Sequence, residues 1–296
     1  MKVTVLQENL ARGLSTVSRA VSPRSTLPVL ANVLLATDEG RLRLSATNLE
    51  MGITCWIGAK IEEEGSTTVP ARTFADLVST MPDPQVSLTL DPRTQTLNVR
   101  SGSSTNDIKG IDAQEFPPLP VPDFGEAIHI NVSDFKEMIH QVAFAASTDE
   151  ARPVLMGVLL KVEGDSVIMA AADGFRLSVR TATLSSPAAQ PVSAIIPARA
   201  LSELARIASD GEQMIQMVLP KGRGQVVFRV KDAELVSQLI DGTFPDYQQI
   251  IPRSYKSRTL VSTASLLKAC KQAEIFAREG SNRSEEHTSE LQSRQV

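Results

Sequence analysis

The chain repeats itself at a spacing of about 125 residues. The segment 28–35 (PVLANVLL) returns at 153–160 (PVLMGVLL) with six identities in eight positions. Two further matches follow in the same order, Pro70-Ala71-Arg72 with Pro197-Ala198-Arg199 and Phe116-Pro117 with Phe244-Pro245. A period this long indicates duplicated whole domains rather than the short units of a solenoid. We therefore expect tandem copies of one domain fold.

The composition is that of a globular protein, with 42% hydrophobic and 22% charged residues and no apolar run long enough to span a bilayer. The first residues lack the pattern of a signal peptide, so we expect a cytoplasmic protein that does not bind membranes. The net charge of −4 argues against a protein that coats nucleic acid on all sides, but it permits a local basic face. Two cysteines are too few for a disulfide framework, and Cys55 reads as a small core residue.

Apolar periodicity predicts a helix after a short first strand, and the same stripe recurs in the second copy. The paired stripe positions are Leu10, Leu14, Val17 and Val21, and then Phe135, Ile139, Val142 and Ala146. A third set, Leu266, Cys270, Ala273 and Ala277, marks the opening helix of a third copy. With no further copy to cover it, we expect the apolar stripe of this helix to be exposed.

Alternating and β-branched segments predict strands at 28–37, 40–47 and 51–60, followed by a second helix around 74–81. Three more strands are predicted at about 86–91, 96–101 and 105–112. Each domain therefore reads as strand–helix–three strands, written twice, which is an α+β fold. Proline-rich segments end each copy and indicate stiff connections between domains.

Catalytic and metal-binding motifs are not found in the sequence. His129 and His140 stand outside any zinc-protease, nucleophile-elbow or His/Cys pattern, and there is no glycine-rich phosphate loop. Asp173-Gly174 corresponds to Asn48-Leu49 in the first copy, which favours a structural turn over a catalytic one. We therefore expect no catalytic residue, no metal and no cofactor.

Basic residues are the candidates for contact with nucleic acid. Because contacts between basic side chains and phosphates are sequence-independent, a modest positive surface is sufficient for such binding. The candidates on the predicted helices are Arg12, Arg19, Lys136 and Lys268, and Arg72, Arg199 and Arg206. Glu8, Asp76, Glu137 and Glu203 are mixed among them, so the charge pattern alone is also that of an ordinary solvated face.

Four segments resemble the bacterial DNA polymerase III beta subunit, the replication sliding clamp. They are 24–30 (RSTLPVL), 68–72 (TVPAR), 172–177 (ADGFRL) and 244–247 (FPDY), and the resemblance covers residues 1 to about 282. It implies a DNA-clamp fold with three domains per subunit, helices lining one face, and two subunits closed around duplex DNA. It further implies a processivity factor, with no enzymatic activity, that is loaded by a separate ATP-driven clamp loader.

On this resemblance the chain divides into clamp domain 1 (1–122), clamp domain 2 (129–250) and the start of a truncated domain 3 (258–282). Residues 283–296 have no apolar periodicity and no counterpart in either copy. They read like a sequencing adapter translated in frame, with a disordered polar tail as the alternative. We therefore expect an incomplete subunit that forms a homodimer only at full length.

The resemblance also implies three sets of site residues. Arg24 and Arg199 match positions that contact DNA in the family, and Arg72 is the first-domain twin of Arg199. The DNA polymerase III catalytic subunit, the clamp loader and repair polymerases insert short linear peptides into a pocket between domains 2 and 3. The matching pocket positions are Leu155, Ala172, Gly174, Phe175, Arg176, Leu177, Pro245, Gln249 and Ile250. Phe175 and Gln249 depart from the His and Arg often found there, and Leu155 and Leu177 also read as plain core.

The subunit interface of the family uses the edge strand of domain 1. Here we expect that strand at about 104–111, with Ile108 and Ile111 as apolar contacts. Since most of domain 3 is missing, we expect the chain as written not to form a closed dimer, and its unpaired edge to be prone to association.

Two other classes of function remain possible from the residues alone. A peptide-binding module of duplicated domains would keep its function after the candidate arginines are neutralised. An enzyme would need a concave cluster of titratable groups, which the sequence does not offer.

Overall fold

The computed structural model describes residues 1–22, 25–208, 214–220, 222, 224–252 and 254–277. The chain divides into two compact units, Met1–Pro245 and Asp246–Val296. Both copies of the repeat lie in the first unit. Arg24 and the expected tail at 283–296 fall outside the described residues.

The first copy has ten elements in the predicted order of strand, helix and three strands, twice. They are β1 (Lys2–Leu6), α1 (Gln7–Val17), β2 (Asn32–Asp38), β3 (Arg41–Thr47), β4 (Met51–Glu63), β5 (Ser66–Pro70), α2 (Ala71–Ser79), β6 (Gln85–Asp91), β7 (Thr96–Ser101) and β8 (Ser104–Lys109).

The second copy repeats these ten elements. They are β9 (Ile128–Asn131), α3 (Val132–Val142), β10 (Gly157–Glu163), β11 (Ser166–Ala172), β12 (Leu177–Thr183), β13 (Val192–Pro197), α4 (Ala198–Ile207), β14 (Met214–Val218), β15 (Gln225–Val230) and β16 (Ala233–Gln238). The α+β fold with two duplicated halves per copy is therefore confirmed.

The core lies between the helices and the sheets. The predicted stripe residues Leu10, Leu14 and Val17 of α1 are fully buried. So are their counterparts on α3, Phe135, Ile139 and Val142. Phe135 packs against Phe228, with 5.9 Å between the ring centroids. Cys55 is buried as predicted, and burial raises the pKa of its thiol to about 12, so it is not a reactive thiol at neutral pH.

Strand pairing joins the two copies into one sheet. The main path runs β8-β7-β6-β1-β4-β16-β15-β14-β9, with β2, β3 and β5 attached, and a second sheet runs β12-β11-β10-β13. The junction is the antiparallel ladder of β16 on β4, in which Ala233 faces Cys55 and Leu235 faces Ile53. Because backbone hydrogen bonds cross the junction, the domains within this unit are held in a fixed relation.

Several element bounds differ from those expected. α1 ends at Val17 and α2 at Ser79, before the predicted stripe positions Val21 and Met81. Residues 28–31 form a 3-10 turn, not the start of a strand, because Pro28 at its first position favours a helical turn over a strand ladder. β4 runs to Glu63, beyond the expected 60. The edge strand β8 ends at Lys109, before Gly110 and Ile111, since Ile111 turns away to exchange two backbone hydrogen bonds with Thr68.

The second unit contains α5 (Thr263–Ala277), the helix expected to open a third copy. Of the predicted stripe, Leu266, Cys270 and Ala273 are exposed and Ala277 is partly buried. The large apolar residues Leu267, Ile275 and Phe276 are exposed as well. Among the described residues, no helix is both long and apolar enough to cross a lipid bilayer.

Candidate functional sites

The helices of the two copies lie side by side as a row. α1 packs on α2, and α3 packs on α4. Arg19, just after α1, reaches Glu203 of α4, with 3.2 Å between guanidinium nitrogen and carboxylate oxygen. A cleft of about 540 Å³ lies at this junction, and Arg12, Arg206 and Lys231 contribute to its lining. This row carries six of the basic candidates, namely Arg12, Arg19, Arg72, Lys136, Arg199 and Arg206.

Three of these basic side chains, Arg12, Arg19 and Arg206, are paired with neighbouring acids. Arg12 lies 2.7 Å from Glu8 one turn earlier. Glu203 receives both Arg19 and Arg206, the latter at 2.6 Å. Such pairing reduces the charge these residues offer to a phosphate, a property the sequence could not show for Arg19 because its partner lies 184 positions away.

Arg72 and Arg199 differ from the others in being exposed at the start of their helices. They occupy equivalent positions in the first turns of α2 and α4, directly after Pro70-Ala71 and Pro197-Ala198. Arg72 has only a long contact with Asp76, at 3.9 Å. Among the described residues, the Arg199 side chain has no hydrogen bond or ion pair. The structure thus places two similar cations on the helix row, one from each copy.

The remaining basic candidates are placed differently. Lys136 donates a hydrogen bond to the carbonyl of Ala208, with 3.0 Å between nitrogen and oxygen. Lys268 is exposed on α5, in the second unit.

A tight turn organises the partner-binding candidates of the second copy. The Asp173 carboxylate accepts hydrogen bonds from the backbone N–H groups of Phe175 and Arg176, at 2.9 and 3.0 Å. These bonds, first that from Phe175, together with the Arg176 charge, lower the pKa of Asp173. In the first copy Asn48 makes the same two bonds, to Glu50 and Met51. The predicted structural turn is confirmed.

Glycine at position 174 suits this turn. Its φ is +94°, in the left-handed region that side chains disfavour, and its equivalent Leu49 has a φ of +76°. A side chain at 174 would also approach Arg152, whose Nη1 would lie 3.3 Å from the added Cβ. Arg152 donates a hydrogen bond to the carbonyl of Asp173, which links the turn to the 3-10 segment that carries Leu155.

Apolar side chains beside this turn are incompletely buried. Ala172 and Leu177 face each other across the β11–β12 ladder, and both are half-buried, as is Leu155. The reading of Leu155 and Leu177 as plain core therefore does not describe them fully. Phe175 is 96% exposed at the tip of the turn.

Arg176 is held in place by its neighbours. Its Nε lies 2.9 Å from the Asp173 carboxylate, and its guanidinium lies 5.5 Å from the centroid of the Phe144 ring. Phe144 is itself more than half exposed. The sequence analysis did not identify Phe144, since it lies 32 positions away, outside every matched motif. The arrangement offers an apolar surface beside a fixed cation.

The equivalent place in the first copy is filled by the chain itself. Gly52 corresponds to Leu177, and a Cβ on Gly52 would lie 2.7 Å from Leu119 Cδ2 and 2.9 Å from Val236 Cγ1. The connecting segment 117–120 therefore covers β4, and a void of only about 130 Å³ remains there. The sequence carried no signal of this contact beyond the prolines that flank Leu119.

The other pocket candidates lie at the boundary of the two units. Pro245 is the last residue of the first unit, whereas Gln249 and Ile250 belong to the second. Gln249 donates to the Asp246 carboxylate at 2.8 Å, and Ile250 is exposed.

The expected interface residues turn inward. Ile108 belongs to the core of its own subunit and is 7% exposed. Ile111 is half-buried and packs on the cluster of Val29, Leu30 and Phe116. The expectation that both lie on one edge strand is wrong for Ile111, because β8 has ended before it.

A metal site requires several ligating side chains close together. No group of three or more His, Cys, Asp or Glu side chains could hold a metal ion among these residues. The described titratable groups with shifted pKa values on the surface are structural pairs and turns, such as Lys2 with Glu62.

Comparison with known proteins agrees with the duplicated fold. The N-terminal-domain model of the DNA polymerase III beta subunit matches residues 1–120, and the central-domain model matches residues 129–246. The beta sliding clamp of Bacillus subtilis is 33% identical over 290 residues, covering 95% of this chain and 76% of the relative. The chain belongs to the DNA polymerase III beta subunit family. The beta sliding clamp of Synechococcus elongatus is 38% identical over 286 residues, covering 95% of this chain and 76% of the relative.

Solved structures agree with this assignment. The crystal structure of the Bacillus subtilis sliding clamp superposes with a TM-score of 0.90 at 32% identity, covering 95% of this chain and 75% of that one. A Pseudomonas aeruginosa clamp bound to griselimycin gives 0.86 at 28% identity, covering 93% and 74%. As a member of this family the chain is a sliding clamp, a processivity factor in DNA replication and not an enzyme.

Proposed function

We propose that this chain is part of a cytoplasmic ring that encircles duplex DNA and tethers the DNA polymerase III catalytic subunit, repair polymerases and the clamp loader. The observation that carries the proposal is the pair Arg72 and Arg199. Each is exposed at the same position of a duplicated helix, on a surface where the other arginines are paired with acids. Two weakly engaged cations suit phosphate contacts that form and break as the ring slides.

Arg24 extends the proposed DNA contact through the resemblance of its motif alone. With a net charge of −4, the chain provides no general attraction for DNA. Binding should therefore depend on these few positions and weaken steeply with salt.

Salt dependence of duplex binding tests the proposal. We expect Arg72→Ala with Arg199→Ala to reduce the slope of log affinity against log salt by about 2, whatever the DNA sequence. Arg206→Ala is the matched control, because Glu203 already neutralises that charge. An unchanged slope in the double variant would favour the peptide-binding module without DNA contact.

We further propose that partner peptides bind at the turn of the second copy. Leu155, Ala172 and Leu177 would receive an apolar side chain, with Gly174, Phe175 and Arg176 at the rim. The contact of Leu119 with Gly52 supports this proposal. Gly52 is the first-copy equivalent of Leu177, and a proline-flanked apolar segment already binds there. The resemblance also implies Pro245, Gln249 and Ile250 as partner-binding residues.

Fluorescence polarisation with the clamp-binding peptide of the polymerase catalytic subunit tests this site. We expect Leu177→Ala to weaken binding roughly tenfold, the effect of losing one apolar anchor. Val121→Ala is the control, since Val121 is exposed in the connection of the first copy. Equal losses in both variants would contradict the site.

We propose that β8 lies at the subunit interface of a homodimer, as the resemblance implies. Ile108 and Ile111 remain proposed contacts, although both already pack within the subunit.

A further inference from the structure

The guanidinium of Arg176 is fixed on two sides. Its Nε donates to the Asp173 carboxylate at 2.9 Å, and its plane lies 5.5 Å from the centroid of the Phe144 ring. Among the described residues, its two Nη groups have no hydrogen-bond partner. The outer edge that these two groups form is the part of a guanidinium that matches the two oxygens of a carboxylate.

Phe144 is held against β12 by the packing of α3. It lies in the 3-10 turn Ala143–Ala145, which directly follows that helix. Ser178 of β12 donates a hydrogen bond to the carbonyl of Gln141 in the last turn of α3. The ring therefore meets the guanidinium because the fold brings the helix end to the strand, and not because the two residues are neighbours in sequence.

The first copy does not contain this pair. At an offset of 125, Arg19 stands at the position of Phe144 and Met51 at that of Arg176. Met51 is buried, and Arg19 pairs with Glu203 of the second copy. In the first copy the cation thus follows the helix and joins the two copies, whereas in the second copy the cation precedes the strand and the helix end supplies a ring.

The pair borders the surface on which we propose that partner peptides bind. Leu177 follows Arg176 directly, and Ala172 faces Leu177 across the β11–β12 ladder. Successive residues of an extended peptide are only about 3.3 Å apart along the chain. A peptide with an apolar side chain against Leu177 therefore brings a neighbouring side chain within reach of Arg176. A carboxylate at that place would accept two charge-assisted hydrogen bonds.

We infer that Phe144 is a positioning residue of the partner site, which holds the Arg176 guanidinium so that its two Nη groups bind a carboxylate of the partner peptide. The ring lies within the distance of about 6 Å over which its face attracts a cation. Without the ring, the long arginine side chain would lose more rotamer freedom on binding, which weakens a complex. The inference rests on the proposed function for the place where the peptide binds.

Fluorescence polarisation with the clamp-binding peptide of the polymerase catalytic subunit tests the role of the ring. We expect Phe144→Leu, which keeps an apolar side chain without an aromatic face, to weaken binding about two- to fivefold. Phe144→Tyr keeps the ring and should bind as the wild type does. Phe124→Leu is the matched control, because it breaks another cation–π contact, with Arg229 at 3.7 Å, outside the proposed site. Thermal unfolding checks that each variant folds.

Two couplings separate positioning from a structural role. In a background of Arg176→Met, which keeps an apolar stem without the cation, Phe144→Leu should have no further effect. A peptide in which every Asp and Glu is replaced by Asn or Gln should bind the wild type and Phe144→Leu equally. If the ring acted by packing alone, its loss would weaken binding in both experiments.

Wild-type affinity in Phe144→Leu would overturn the inference, as would a loss that persists in the Arg176→Met background or with the neutral peptide. Leu177→Ala distinguishes this result from failure of the proposed site. If Leu177→Ala binds the peptide as tightly as the wild type, the proposed site is wrong. A loss in Leu177→Ala with none in Phe144→Leu would overturn the positioning role alone.

Discussion

The two copies of the repeat differ in how they treat the strand that follows the tight turn. In the first copy, β4 pairs with β16, and Leu119 packs over Gly52 at the start of that strand. In the second copy, β12 has β11 as its one neighbour among the described residues, and Leu177 and Phe175 stand uncovered by a connecting segment within the unit. The scaffold is the same in both. The difference supports the proposal that partner peptides bind beside β12 of the second copy, at the position that Leu119 covers in the first copy.

A larger side chain at Gly52, in the groove that Leu119 fills, should have the largest effect on stability. We expect Gly52→Leu to lower the free energy of unfolding by about 1–3 kcal/mol, because the new side chain overlaps Leu119 and Val236. Urea denaturation measures the loss. Gly58→Leu on the same strand is the control, since nothing lies within 4 Å of a Cβ at that position. Equal losses at both glycines would show that Leu119 does not close this groove.

Substitutions at the tips of the two turns should affect peptide binding and stability differently. Phe175 is almost fully exposed and its equivalent, Glu50, is also exposed, so replacing either with Ala should change the free energy of unfolding by less than about 0.5 kcal/mol. Only Phe175→Ala should weaken the polymerase peptide, in a polarisation titration. If Glu50→Ala weakened it equally, the two turns would not differ as proposed.

The smallest expected effect is the acid sensitivity of the second turn. Hydrogen bonds from Phe175 and Arg176 hold the pKa of Asp173 below its ordinary 3.8. The ionised form therefore stabilises the fold above that value, and this contribution is lost as the pH falls through the lowered pKa. Asp173→Asn imitates Asn48 of the first copy and should remove this part of the pH dependence. Unfolding curves of both proteins at several acidic pH values measure the difference, and parallel curves would contradict it.

Much of the scaffold could be predicted because the repeat states each local signal twice. The stripes of α1 and α3, and the paired turns at Asn48 and Asp173, depend on neighbours in sequence. The 3-10 segment at Pro28 was missed because its apolar and β-branched residues favour a strand. The prediction did not take into account that the proline ring fixes φ and removes a backbone donor. The early end of β8 depends on Ile111 finding Thr68, a contact 43 positions away.

The candidate sites were less predictable because they depend on distant contacts. Charge alone did not distinguish Arg19, which Glu203 neutralises, from Arg199, which has no such partner among the described residues. Leu119 and Phe144 belong to no motif, and their roles follow only from which surfaces the fold brings to them.

Methyl NMR of the leucine-labelled chain tests the central claim most directly. On titration with the polymerase peptide, the account predicts shifts of the Leu155 and Leu177 methyl signals, while those of Leu30 and Leu119 in the first copy stay unchanged. Shifts at Leu30 and Leu119, with none at Leu155 and Leu177, would contradict it.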